Sequence, residues 1–216
     1  MDARQRRQIF MTSSEHFRTL GKLLRCAESF SRAAVWAGGA LILASVLLIS
    51  FDVVARKLFG FTTGGADELS SYAFAISTTW ALAFATLQRA NVRVDVLYQF
   101  FPVRVSALLD WIALVALGIF MAYLTYYALE IVQTSWTSHS AANTPLATPL
   151  WIPQGLWWLG LVWMCITVAL MLVRASLALV TGDIALVKAI CGVRSTQEEA
   201  EEEAAAGERM VKGDAA

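Results

Sequence analysis

Four uncharged apolar stretches, Ala33 to Phe51, Leu69 to Leu87, Trp111 to Leu129 and Gln154 to Val173, limit what this chain can fold into. Each holds 19 or 20 residues. At about 1.5 Å of rise per residue, a helix of that length matches a hydrocarbon layer about 30 Å thick. Composition agrees: 57% hydrophobic residues against 16% charged leave too little polar surface for a water-soluble globule. The expected fold is an all-α integral membrane protein. Its four transmembrane helices, at about 33–54, 69–87, 111–130 and 154–173, form a domain over 33–174. A cytoplasmic, interfacial amphipathic segment (1–32) precedes them and a cytoplasmic tail (175–216) follows.

The distribution of basic residues predicts the orientation. Lys and Arg number seven before the first stretch, two in the first loop, three in the second, none in the third and five after the fourth. With both termini inside, 15 basic residues are cytoplasmic and two external, as expected where positive charge is retained on the cytoplasmic side. Trp36 and Trp111 then fall at the inner boundary and Trp136, Trp151, Trp157 and Trp158 at the outer one, where an indole keeps its N–H wet. Trp80 and Trp163 lie at mid-membrane depth and read as helix packing. A basic, apolar amino terminus resembles a secretory signal, but its apolar run starts late and is too long, so it reads as an uncleaved first span.

The connections carry the remaining information. Thr12 and Glu15 have capping-box spacing, and Phe17, Leu20, Leu24 and Ala27 recur at helical spacing beside Arg18, Lys22, Arg25 and Arg32. This predicts an amphipathic helix on the inner leaflet, a direct contact with membrane lipid. The first external loop holds Asp52, Arg56, Lys57, Asp67 and Glu68 around a flexible, glycine-rich turn at 60–65. Asp52 and Arg56, four apart, either pair locally or, with Asp67 and Glu68, face a partner subunit where partial desolvation makes charge pairing selective. In the second loop Val94, Leu97, Tyr98 and Phe101 describe a short interfacial helix ended by Pro102. The third connection is uncharged from 131 onward, carries prolines at 145, 149 and 153, and reads as a stiff, extended segment with a solitary His139. At the carboxy terminus five of the seven residues from Gln197 to Glu203 are glutamate, a self-repelling block expected to be solvated and disordered.

Several function classes are disfavoured. Equal numbers of basic and acidic residues, 17 each, give no reason to expect nucleic acid as a partner. Cys26, Cys165 and Cys191 have no metal-binding or redox spacing, so neither a metal nor a cofactor is expected, and haem would have to take His16 and His139, both outside the spans. None of the four apolar stretches contains a charged residue, a histidine or a proline, whereas proton-coupled and midplane-binding carriers use buried ionisable groups and broken helices. Asp52, Asp110 and Glu130 sit at span ends, within expected reach of headgroup water. Ser70, Ser71, Ser77, Thr78, Thr79 and Thr86 read as interhelical packing groups. An independent small transporter or channel, an accessory subunit of another membrane complex, and a membrane enzyme stand as alternatives. The last would need convergent polar groups at one face.

From Phe51 to Pro102 the chain resembles the small permease subunit of tripartite ATP-independent periplasmic (TRAP) transporters. The matching positions are Arg56 with Phe59, the acidic pair Asp67 and Glu68 opening the second span, Arg89, and Val94 with Asp95. Gly64 to Ala66 replace a tryptophan common in that family, and Asn91 stands where a histidine is usual. The resemblance implies a non-enzymatic subunit in a bacterial cell inner membrane, working with a large permease subunit and a periplasmic binding protein to import organic acids by sodium symport. It marks Arg56, Lys57, Asp67, Glu68, Arg89 and Asp95 as candidate interface residues.

Overall fold

The computed structural model describes residues 3–90, 101–192, 204 and 207. Among the described residues there are five helices: α1 (Ala3–Phe59), α2 (Ala66–Leu87), α3 (Val103–Thr137), α4 (Trp151–Thr181) and α5 (Ile184–Cys191). Among the described residues there is no β-strand beyond one isolated bridge, Ala141 with Pro149. Of these described helices three are long and apolar enough to cross a membrane: α1, α3 and α4. At 22 residues α2 is long enough, about 33 Å, but its six serines and threonines make it less apolar. It packs on α1 and α4.

Helix α4 is the hub, touching each of the other four. Leu114, Met121 and Ala128 of α3 recur every seven residues, and Leu161, Met164, Val168, Met171 and Ala175 of α4 alternate by three and four. Those periods place one stripe of each helix against the other, as in a coiled-coil seam. Glycines bring the backbones closer. A Cβ on Gly38 would lie 3.2 Å from Ser77 Cβ, and one on Gly160 2.6 Å from Thr79 Oγ1.

Polar atoms stitch the helices together at depth. Trp80 Nε1–H donates to the Leu156 carbonyl (3.0 Å), Trp111 to Ser176 Oγ (2.9 Å), Trp158 to the Thr125 carbonyl (3.1 Å) and Trp163 to Ser31 Oγ (2.9 Å). Phe30 meets the Trp163 ring edge-on at 4.6 Å. The two mid-depth tryptophans are therefore packing groups, as expected. Of the α2 hydroxyls, Ser77 donates across to the Gly38 carbonyl and Thr86 reaches Met164 sulfur, while Ser70, Ser71, Thr78 and Thr79 bond carbonyls of their own helix.

The structure revises several expectations. The amphipathic segment is no separate element, because α1 continues through residues 32 and 33 without a break. All four prolines lie beyond residue 101, and no residue from 3 to 59 takes a positive φ, so nothing stops the helix. The third connection is folded rather than extended. Ala142 N–H bonds the Thr148 carbonyl and Leu150 N–H the Ser140 carbonyl, closing a loop around a Thr144–Ala147 turn with Pro145 in second place. Pro153 sits in the first turn of α4, where a missing N–H is harmless.

At the other end α4 runs eight residues past Val173, and Gly182 (φ 77°) reverses the chain into α5. Asp183 caps α5 through Leu186 N–H, and Val187 is fully buried with Ala107 and Ala178, so 184–191 belongs to the bundle rather than to a tail. Asp52 and Asp110 are each only 2% exposed, buried by the protein instead of hydrated at a headgroup boundary. The interfacial helix expected at 94–101 falls largely, and the acidic block at 197–203 wholly, outside the described residues.

Candidate functional site

Two buried carboxylates organise the end of the bundle where α1 turns into α2. On the last turns of α1, Asp52 accepts from Arg56 Nη2 (2.5 Å), Thr62 Oγ1 (3.0 Å), Thr63 N–H (2.6 Å) and Thr63 Oγ1 (2.6 Å). The chain can fold back over this side chain because Gly60 (φ 71°) and Gly64 (φ 72°) take left-handed conformations that cost glycine little. The turn expected to be flexible is thus held by one aspartate.

Glu68 plays the same part for the α3–α4 loop. It lies in the first turn of α2, where a negative charge also meets the positive end of the helix dipole. Its carboxylate accepts from Tyr72 OH (2.8 Å) and from Thr144 Oγ1. Hydrogen bonds from Thr144 and Thr148 hold its carboxyl below the usual glutamate range, against the opposing effect of desolvation. Leu146 of the same loop presses on Gly65, where a Cβ would lie 1.8 Å from its Cδ1. The two loops are therefore locked to each other, and both occupy one end of the bundle.

Between them opens a cleft of about 390 Å³ lined by Asp52, Arg56, Thr62, Asp67, Glu68 and Thr144, with backbone from Gly64 to Ala66. Arg56 keeps 60% of its side chain exposed while pairing with Asp52. Lys57 and Asp67 are exposed, whereas Glu68 points inward and is 8% exposed. Arg89 lies at the opposite end of α2, about 33 Å away, in a left-handed conformation (φ 57°) with its N–H on the Thr86 carbonyl. Asp95, with Val94, lies outside the described residues. Four of the six candidate residues thus share one end, and only Arg56, Lys57 and Asp67 present charge outward.

Sequence reasoning missed that Asp52 and Glu68 are loop anchors. The Thr62–Thr63 pair between glycines was a readable sign of a turn seeking an acceptor, but nothing in the chain linked Thr144 to a residue 76 positions earlier. His139 is a local group, its Nδ1 2.9 Å from the Trp136 carbonyl. Among the described residues no cluster of His, Cys, Asp and Glu could hold a metal ion. The two carboxylates are taken up by donors from Arg56, Thr62 and Thr63 and from Tyr72 and Thr144, so the arrangement suits recognition by the outward charges rather than bond chemistry.

A family model described as "Tripartite ATP-independent periplasmic transporters, DctQ component" matches residues 45–178. Neither the curated proteins nor the solved structures yield a match. The matched range takes in the Asp52 and Glu68 anchors, the cleft between them and the whole α3–α4 seam. This chain, a multi-pass membrane protein and no enzyme, belongs to the DctQ component family of TRAP transporters.

Proposed function

We propose that this chain is the small scaffold subunit of a sodium-coupled importer of organic acids in a bacterial inner membrane, partnered by a large permease and a periplasmic binding protein. In this reading α2 is a fourth span and both termini are cytoplasmic. The 15-to-2 distribution of basic residues supports that orientation. The contact of Glu68 with Thr144 brings the two loops expected to be external to the same end of the bundle, consistent with four spans whichever end faces outward.

The observation that carries the reading is how the bundle interior is used. At depth the indole N–H groups of Trp80, Trp158 and Trp163 and the close approaches at Gly38 and Gly160 are spent on neighbouring helices, most other hydroxyls bond their own helix, and among the described residues no membrane-long helix breaks to offer a ligand its backbone. Such a bundle serves as a fixed frame for a moving partner. Arg56, Lys57 and Asp67 form its outward contact at the periplasmic end, and Arg89 and Asp95 serve the cytoplasmic side.

The test is reversal of the outward charges, Lys57→Glu with Asp67→Lys, in cells carrying the complete system. Loss of copurification with the large subunit, or loss of uptake despite assembly, is expected. Unchanged assembly and uptake would remove these residues from the interface. Solute transport by this chain alone in liposomes would favour the independent-transporter reading instead.

A further inference from the structure

Below the polar cleft a second depression, about 320 Å³, runs along the flank of the α1–α2 contact, lined by Ile42, Ser45, Val46, Ile49, Phe74 and the paired serines 70 and 71. Its three serines are already spent: Ser45 donates to the Leu41 carbonyl, and Ser70 and Ser71 both donate to the Asp67 carbonyl. The groove therefore offers an incoming molecule almost wholly apolar walls.

The groove also has a charged rim. On α1 the sequence Ile42, Val46, Ile49, Val53, Arg56 steps by four, three, four and three, so the stripe that walls the groove ends beside Arg56 and Lys57. On α2 the stripe Phe74, Ser70 and Ser71, Asp67 ends on a carboxylate. Ile49 to Arg56 is about 10 Å along the helix, the step from acyl chains to headgroups. Among the described residues the ion pairs are Arg32 with Glu28 and Arg56 with Asp52; Lys57 and Asp67 make none there, although Asp67 lies near enough to Arg56 to interact with it electrostatically.

Close helix packing in a membrane draws on small residues and on hydroxyls that bond across the contact. Here Ile42, Val46, Ile49 and Phe74 supply the apolar walls, and the three serines between them spend their donors within their own helices. A flexible hydrocarbon chain fits such walls. Cations on one lip and a carboxylate on the other complement a headgroup that carries both phosphate and a primary amine. We infer that this groove binds one aminophospholipid, with an acyl chain against Ile42 to Phe74, its phosphate on Lys57 and Arg56 and its ammonium on Asp67. The inference uses the same outward charges, Arg56, Lys57 and Asp67, as the contact in the proposed function, but it is read from this chain alone and needs no choice of orientation.

The experiment is native mass spectrometry of the full chain in mild detergent, stripped of lipid and offered phosphatidylethanolamine, phosphatidylcholine and phosphatidylglycerol with identical acyl chains. Phosphatidylethanolamine is expected to be retained several-fold more than the other two. Asp67→Asn should abolish that preference while leaving phosphatidylglycerol unchanged, and Lys57→Gln should weaken all three. Val46→Trp, on the exposed lip of the groove, should displace lipid without altering the helical circular dichroism. Equal retention of the three headgroups, or indifference to Asp67→Asn or to Val46→Trp, would overturn the inference. Exclusion of lipid from the groove by a copurifying protein would overturn it too.

Discussion

Replacing Gly160 by alanine tests whether α2 and α4 are held at a distance that only glycine permits. The new Cβ would lie 2.6 Å from Thr79 Oγ1, 2.9 Å from Thr79 Cβ and 3.0 Å from Trp80 Cδ1. All three neighbours sit on one turn of α2, so rotating one side chain cannot relieve the clash and the helices must separate by several tenths of an ångström. Overpacking of this kind costs about 1–3 kcal/mol. Separation also strains the Trp80 bond to the Leu156 carbonyl, and an interhelical bond in a membrane contributes about 0.6 kcal/mol. Gly39→Ala is the control, because a Cβ there meets nothing within 4 Å. It should be neutral or stabilising by up to about 1 kcal/mol, from glycine's low helix propensity.

The assay is equilibrium unfolding of the purified chain in mixed micelles, followed by near-ultraviolet circular dichroism of the tryptophans. Gly160→Ala should lower the unfolding midpoint where Gly39→Ala does not. Adding Thr79→Ala, which removes the 2.6 Å contact but leaves Cβ, should restore part of the loss. Equal midpoints for the two single variants, or no recovery in the double variant, would refute the close-approach argument.

Two further outcomes follow from the polar contacts. Glu68 has a lowered pKa in the folded state, so its latch on Thr144 and Thr148 is fully present above the ordinary glutamate value of 4.5 and is lost as pH falls through the lower folded value. Protease protection of the 138–150 loop should therefore be constant from neutral pH down to that value and fall only below it, whereas Glu68→Gln should lower protection at neutral pH. Trp163→Phe keeps the ring against Phe30 but removes the bond to Ser31, and should cost about 0.6 to 1.7 kcal/mol in the same unfolding assay.

What the sequence made legible was what depends on local pattern. The apolar runs at 111–129 and 154–173 became the facing stripes of α3 and α4, since a three-four period is visible in the chain itself. Helix α1 was harder, because charge at 18, 22, 25 and 32 looks interfacial although backbone continuity is decided by the absence of a breaker. Helix α5 escaped notice because eight residues are too few for a span and its burial depends on Ala107, far away in the chain. The site divided the same way. Asp52 with Arg56 is an i, i+4 pair and could be read directly, but Glu68 with Thr144 is a tertiary contact with no local sign.

Helix α1 is a single rod of 57 residues, about 85 Å long, of which a bilayer core spans about 30 Å. The bundle holds it as far toward the amino end as Leu24, which is buried in the core some 32 Å from Ala3. If that grip acts as a pivot, a lean of only about 10° sweeps the amino end through an arc of about 5.5 Å. Any factor bound near Ala3 would then feel a small tilt in the bilayer as a displacement as long as one turn of helix.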